Sequence, residues 1–285
     1  SSWNAVTLPE NMSGFMSAGF DRSSLAFSDG NAGAEQRSWH IAMGLEFGLD
    51  DRTTFGTAFG YADGVQEVGG TVANVETNQA SVYGNYRFGG NFYIGGQASM
   101  SYSQIDSDSR IAGGLAVNSL NTNSLAFASE IEAGYNIDMD GLMLTPRASI
   151  GYSSYNVDGF RDSAGSLAMA VDEISRSGVE AKVGLKISGS TKMGYASGWS
   201  FQPQMKLDYV NRISGNDTNF LVRFLDAENL PFVLPIGLQD ASYGEVKGGF
   251  SLVNGPLSLG AAVESRLGQQ IYRDDRAVVN MALRF

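Results

Sequence analysis

Residues 38–48 read Ser38-Trp39-His40-Ile41-Ala42-Met43-Gly44-Leu45-Glu46-Phe47-Gly48. The odd positions, Trp39, Ile41, Met43, Leu45 and Phe47, are all large and apolar. The even positions, His40, Ala42, Gly44, Glu46 and Gly48, are small or polar. An α-helix cannot segregate side chains with a period of two. A strand with two unlike environments on its faces does so by construction.

Working outward, the same two-faced pattern recurs along the chain. Phe55, Phe59 and Tyr61 alternate with Thr54, Gly56, Ala58 and Gly60. Val82, Tyr86 and Phe88 alternate with Ser81, Asn85 and Arg87. Comparable stretches run over 92–102, 124–137, 142–152, 179–187, 199–209, 257–266 and 277–285, with weaker ones near 11–27 and 238–253. The total is about twelve strands in one domain, since no linker-like segment divides the chain.

The connections separate a soluble sandwich from a barrel. They alternate short and long. Short ones are expected at Leu49-Asp50-Asp51-Arg52, Gly89-Gly90, Asp138-Met139-Asp140 and Asn254-Gly255, the last read as a type I′ turn. Long loops are expected at 28–36, 64–71, 106–118, 158–172, 213–237 and 268–274. Tight turns at one end and long loops at the other, joined by two-faced strands, describe a transmembrane antiparallel up-and-down β-barrel. An even strand number places both termini at the short-turn, periplasmic side. Several strands exceed the 9–11 residues that cross a bilayer. Trp39, Tyr61, Tyr102, Tyr152, Trp199 and Tyr209 suit interfacial aromatic belts.

Composition removes most alternatives. The 285 residues carry a formal charge of −11, which disfavours nucleic acid as a partner. There is no Cys and a single His, so thiolate catalysis, disulfides and Cys- or His-rich metal sites are excluded, and no cofactor is implied. No apolar run is long enough for a transmembrane helix, and Ser1–Glu10 lacks the features of a signal peptide.

The small-or-polar face carries His40, Glu46, Arg87, Glu130, Glu132, Arg147, Glu180, Lys182, Lys186, Lys206, Asp208, Glu245, Lys247, Glu264, Arg266 and Arg284. A dry core would charge several kcal/mol for each, whereas a hydrated lumen holds them. The mixed signs predict cross-strand ion pairs and no simple ion filter. Recurrent glycines on this face, among them Gly44, Gly56, Gly60, Gly95, Gly134, Gly151, Gly184 and Gly260, are expected to leave room for something inside. Twelve strands are too few for a general porin's channel, but suffice for one helix or an extended polypeptide.

Two other functions compete. A barrel hydrolase (lipase or protease) would have to use His40, the one imidazole. A passive outer-membrane channel would need no further residues. The loop 213–237 is unusually apolar and is expected to fold over the barrel mouth or form a hairpin against its neighbour. Acidic loop residues such as Asp63, Asp106 and Asp158 are expected mainly to solvate the loops.

The chain ends Met281-Ala282-Leu283-Arg284-Phe285. A terminal Phe with Val279, Met281 and Leu283 at alternate positions resembles the signal by which barrel-assembly machinery recognises its substrates. The segments at 81–110, 132–162, 179–188 and 254–268, followed by this closing strand, resemble the translocator domain of classical (type Va) autotransporters over essentially residues 11–285. The resemblance implies a bacterial outer-membrane domain without enzymatic activity of its own that brings its own N-terminal passenger across the membrane. The implied partners are that passenger, a linker helix in the pore, the barrel-assembly machinery, and outer-membrane lipid and lipopolysaccharide; a monomer is expected. Residues 1–10 are read as the remnant of the linker, the chain as a processed product or fragment, and Ser1–Glu10 offers no Asn-Asn pair for self-cleavage in the pore.

Overall fold

A computed structural model describes residues 11–25, 33–68, 71–89, 91–110, 117–161, 169–193, 198–215, 218–224, 232–236, 241–269 and 272–284. The strands are β1 (Met12–Leu25), β2 (Ala34–Gly48), β3 (Thr53–Val68), β4 (Thr71–Arg87), β5 (Phe92–Arg110), β6 (Val117–Tyr135), β7 (Ile137–Met139), β8 (Leu142–Val157), β9 (Phe160–Arg161), β10 (Met169–Val171), β11 (Ile174–Gly189), β12 (Thr191–Lys192), β13 (Ser200–Ser214), β14 (Thr218–Phe224), β15 (Phe232–Ile236), β16 (Ser242–Asn254), β17 (Leu257–Leu267) and β18 (Tyr272–Arg284). Twelve of them, β1 to β6, β8, β11, β13 and β16 to β18, pair antiparallel with their neighbours. β18 returns to β1 with a register running from Ser13↔Arg284 to Leu25↔Tyr272, and the sheet closes into a cylinder. Closure removes the edge that would otherwise leave backbone groups unpaired in lipid.

The apolar distribution is inside out. Among the described residues the buried hydrophobic side chains are Met12, Val157, Val210 and Tyr243. The residues expected on the apolar face stand exposed, with Met43 at 58%, Phe59 at 64%, Ile131 at 58% and Val279 at 58%. An apolar surface of this extent is stable only when something other than water covers it. Trp39 packs on Tyr61 (ring centroids 5.7 Å apart), and Tyr86, Phe88 and Phe92 form a chain of rings near the short turns.

The turn chemistry explains one end. The Asp50 carboxylate accepts the backbone N–H of Arg52 (2.8 Å) and of Thr53 (2.6 Å), fixing the β2–β3 turn. Between β7 and β8 the turn is Asp140-Gly141, with φ of 52° and 92°. The expected turn at 138–140 is thus displaced, because Ile137–Met139 continues the ladder. The Asn254-Gly255 expectation is also off by one residue. Asn254 pairs with Leu257 across Gly255-Pro256, with Gly255 at φ 54°. Pro256 lacks an N–H and is fixed at negative φ, so it takes the second turn position of a type II′ hairpin rather than a ladder position.

At the other end, two expected long loops are largely strand. Pairing of β3 with β4 continues to Val68↔Thr71, and that of β5 with β6 to Arg110↔Val117. The 19 residues of β5 span roughly 65 Å along the strand, which at a usual barrel tilt far exceeds an apolar band of about 25 Å. The loop 213–237 forms the hairpin β14–β15, and β14 pairs with β10, which pairs with β9. Of the two arrangements expected, the backbone adopts the hairpin against its neighbour, a four-stranded sheet beyond the barrel wall.

Candidate functional site: the barrel interior

The interior is built on glycines. Gly184 of β11 lies directly opposite Arg147 of β8 on one side and Asp208 of β13 on the other. With no side chain between them, Arg147 and Asp208 meet across the intervening strand. Nε donates to Oδ1 at 3.1 Å and Nη2 to Oδ2 at 2.6 Å. The two side chains are 4% and 2% exposed. Arg147 also pairs with Glu132 of β6. Pairs that skip a strand can form only on the concave side of a closed sheet.

The arrangement repeats. Tyr83 of β4 lies over Gly56 of β3 and its hydroxyl donates to Glu46 of β2 at 3.4 Å. Tyr93 lies over Gly134 and donates to Glu132 at 2.6 Å. The Phe15 ring lies over Gly44, Asn280 over Gly260, and His40 over Gly19. Much of the room that the glycines were expected to leave is therefore taken by the protein's own side chains. Gly60, Gly95 and Gly151 meet only ordinary contacts.

The expected polar-face residues concentrate in one wall. Lys182 reaches Glu245 (3.3 Å) across β13 and Glu130 (3.9 Å) across β8. Arg212 pairs with Glu180 (2.8 Å), and Arg266 with Glu245 (3.5 Å) and Asp274 (3.4 Å). The guanidiniums of Arg212 and Arg266 each lie 5.2 Å from the ring centre of Tyr243. Lys206 pairs with Asp208 (3.7 Å) and Lys247 with Glu264 (3.4 Å). Lys186 sits opposite Thr145 and Lys206. Arg87 lies exposed at the end of β4, opposite Tyr93. Arg284 is placed opposite Ser13, its side chain outside the described residues, as are Ser1–Glu10 and Phe285. Val279, Met281 and Leu283 are exposed on β18.

Among the described residues the interior holds cavities of about 310 Å³ and about 280 Å³. Both are lined by Ser153 and Glu180, the first also by Gln79, Gln97, Glu130 and Lys182, the second by Arg176 and Arg212. His40 Nδ1 lies 2.8 Å from Asp21 Oδ2, and the other oxygen of Asp21 accepts Arg276 Nε at 2.9 Å. This Asp is thus committed to an ion pair as well as to the imidazole. No group of three His, Cys, Asp or Glu among the described residues is placed to hold a metal.

Sequence reasoning sets Tyr93 on the polar side of the 92–102 alternation, while the interior aromatics Phe15, Tyr83 and Tyr243 are the residues it missed. Each has the parity of its strand's polar face, so parity was a usable signal. The facing glycines became visible only with the register.

Comparison with known proteins agrees with this geometry. The family described as Autotransporter beta-domain matches residues 14–264. The extracellular serine protease of Serratia marcescens is 26% identical over 163 residues, 56% of this chain and 15% of that protein, so the chain corresponds to a small part of its length. The translocator domain of NalP from Neisseria meningitidis superposes with a TM-score of 0.74 at 12% identity, covering 99% of this chain and 90% of that one. The beta domain of the Bordetella autotransporter BrkA gives 0.69 at 15% identity over 96% and 100%. The transport unit of AIDA-I from Escherichia coli gives 0.65 at 15% identity over 100% and 93%. At these identities the superpositions carry the fold.

Proposed function

The chain belongs to the autotransporter β-domain family, and from that premise we propose that its interior is the route by which an N-terminal passenger leaves the cell. Family membership makes it a translocator barrel of the outer membrane. The finer reading concerns how this barrel works. The short-turn end, where both termini of the barrel lie, faces the periplasm, and the extended strands and the β9–β10–β14–β15 sheet face outward. His40, Glu46, Arg87, Glu130, Glu132, Arg147, Glu180, Lys182, Lys186, Lys206, Asp208, Glu264, Arg266 and Arg284 line a hydrated lumen. Residues 1–10, which lie outside the described residues, are in this reading the remnant of a linker. Val279, Met281, Leu283 and Phe285 present the assembly signal, and the barrel acts as a monomer.

One observation carries this reading: a closed sheet with apolar side chains outside and strand-skipping ion pairs inside. Paired charges stiffen the wall without presenting a field of one sign, which lets polypeptides of different sequence pass. The barrel performs no chemical step in this scheme. His40 and Asp21 position Arg276 rather than attack a substrate.

The test places the chain behind a signal peptide, a reporter passenger and a linker in a Gram-negative host. The passenger is expected to be digested by protease added to intact cells. A folded, inserted barrel whose passenger stays periplasmic would refute the conduit. Planar-bilayer conductance that is unchanged by adding the linker would favour a channel instead.

A further inference from the structure

The charges of the lumen are confined to one side. The bonds from Tyr83 to Glu46, from Tyr93 to Glu132 and between Thr77 and Ser103 (2.8 Å) fix which parity of β4 and β5 points inward. By the two-residue period, the inward positions of β3 from Thr54 to Gln66, of β4 from Ala73 to Asn85 and of β5 from Tyr93 to Ser107 hold no Asp, Glu, Lys or Arg. The carboxylates of these strands, Asp63, Glu67, Glu76, Asp106 and Asp108, all take the outward parity, and Arg87 lies beyond the uncharged stretch at the short-turn end. From Ala73 to Asn85 this corridor runs about 40 Å along the strand. At a usual tilt of roughly 40° that is about 30 Å of height, more than an apolar band of about 25 Å.

In the ring of twelve strands, those six places on from β3, β4 and β5 are β13, β16 and β17. They carry Asp208, Glu245, Lys247, Glu264 and Arg266, every one in an ion pair. The carboxylates that flank the corridor are engaged as well, Glu46 by Tyr83, Glu132 by Tyr93 and Arg147, and Glu130 by Lys182. The cavity of about 310 Å³ lies where the two surfaces meet, with Gln79, Gln97 and Ser99 on one side and Glu130, Glu180 and Lys182 on the other. The amides of Gln79 and Gln97 make no side-chain hydrogen bond among the described residues, and both residues are exposed to the lumen.

A primary amide offers two donors and an acceptor, which serve a peptide group whatever side chain it carries. Hydrogen bonds to a charged group are roughly twice as strong as neutral ones. Unpaired charges would therefore retain segments of opposite sign and repel those of like sign, whereas amides release every segment alike.

We propose that the passing polypeptide travels along the β3–β5 wall with Gln79 and Gln97 as its hydrogen-bonding contacts, while the paired charges opposite hold the cylinder's shape. The proposal rests on the conduit reading above and adds which wall the chain uses.

The chain has no Cys, so single cysteines can be introduced cleanly, at Gln97 or Ser101 on the corridor and at Gln204 or Ser251 on the opposite wall. The full chain is fused behind a linker and a passenger that carries one cysteine within the lumen and is arrested by a ligand-locked folded domain. Disulfide yield in barrels of folded gel mobility, normalised to labelling of each barrel cysteine by a small thiol reagent, should be about fivefold or more higher for Gln97→Cys and Ser101→Cys than for Gln204→Cys and Ser251→Cys, because local concentration sets the rate. Without arrest, Gln97→Lys should change the secretion rate of a Glu-rich passenger relative to a neutral one by about fivefold or more, and Gln204→Lys by less than about twofold. Equal yields on the two walls, a higher yield opposite, or a Gln97→Lys barrel that secretes both passengers alike overturns the corridor and leaves the conduit standing. A folded, inserted barrel whose passenger forms no disulfide with any of the four cysteines overturns the conduit reading itself.

Discussion

Gly184→Ala isolates the principle on which the interior is built. A Cβ at Gly184 would overlap the Asp208 carboxylate and the Leu207 carbonyl. The carbonyl belongs to the backbone and cannot rotate away, so β13 must shift or Asp208 must swing off Arg147. Two charge-assisted hydrogen bonds are at stake, at 3.1 and 2.6 Å. Each is worth about 1.5–3 kcal/mol. Arg147 keeps Glu132, so the loss stays below the ~3–5 kcal/mol of a fully orphaned buried charge. Against this, Gly→Ala reduces the entropy of the unfolded chain and stabilises by about 0.4–1 kcal/mol where the backbone permits. The net expectation is a loss of about 2–3 kcal/mol. Unfolding kinetics in detergent, followed by the shift in gel mobility between folded and unfolded barrel, give the comparison without assuming reversibility. Gly60→Ala is the control, because its Cβ would meet neighbours at 3.5 Å or more, and it should be neutral or slightly stabilising. If Gly184→Ala unfolds no faster than Gly60→Ala, the glycine is not a seat for the ion pair and the account of the interior fails.

Tyr83→Ala uncovers Gly56 and should cost about 3 kcal/mol, as for other large-to-small aromatic truncations, while Tyr83→Phe should cost under about 1 kcal/mol because the bond to Glu46 is long at 3.4 Å; the same unfolding assay separates them. Phe59→Lys, at a site 64% exposed on the outer face, should lower stability in bilayers by about 2–4 kcal/mol if it lies near mid-membrane, whereas Ser99→Lys on the lumen face should cost little; refolding yields into vesicles report both. The backbone N–H groups of Arg52 and Thr53 hold the Asp50 carboxyl below its ordinary value. Its contribution to the turn is therefore complete above the unfolded-state value and disappears as pH falls through the lower folded one. Carboxyl titration by NMR should show Asp50 ionising below the ordinary carboxylate value, and an Asp50 midpoint at or above that value would contradict the turn.

How far the sequence could be read follows from where its two faces differ. Met43, Phe59 and Val82 were assigned outward because lipid on one side and water on the other force a period of two. That contrast ends where strands leave the membrane. Over Asp63–Val68 and Thr71–Glu76 polar residues occupy both faces, yet the backbone ladder of β3 and β4 continues. Pairing there is invisible to a hydropathy pattern, and strand was read as loop. The turn at Gly255-Pro256 was misplaced because the Asn-Gly signal was weighed without the proline after it. The interior charges were legible as a class, but their partners were not. Arg147 finds Asp208 through a glycine on a third strand, a coincidence of three registers that no single stretch encodes. For the same reason glycine was read as empty space when it was often a seat for a neighbour's ring.

The seam between β1 and β18 sets an order of events. Thirteen register pairs join β1 to β18, so the cylinder cannot close before β18 has been made. Every form without β18 in place is an open ribbon with two unpaired margins. Such a chain must be escorted, and truncation before β18 would leave not a smaller barrel but a curled sheet that pairs with whatever strand it meets.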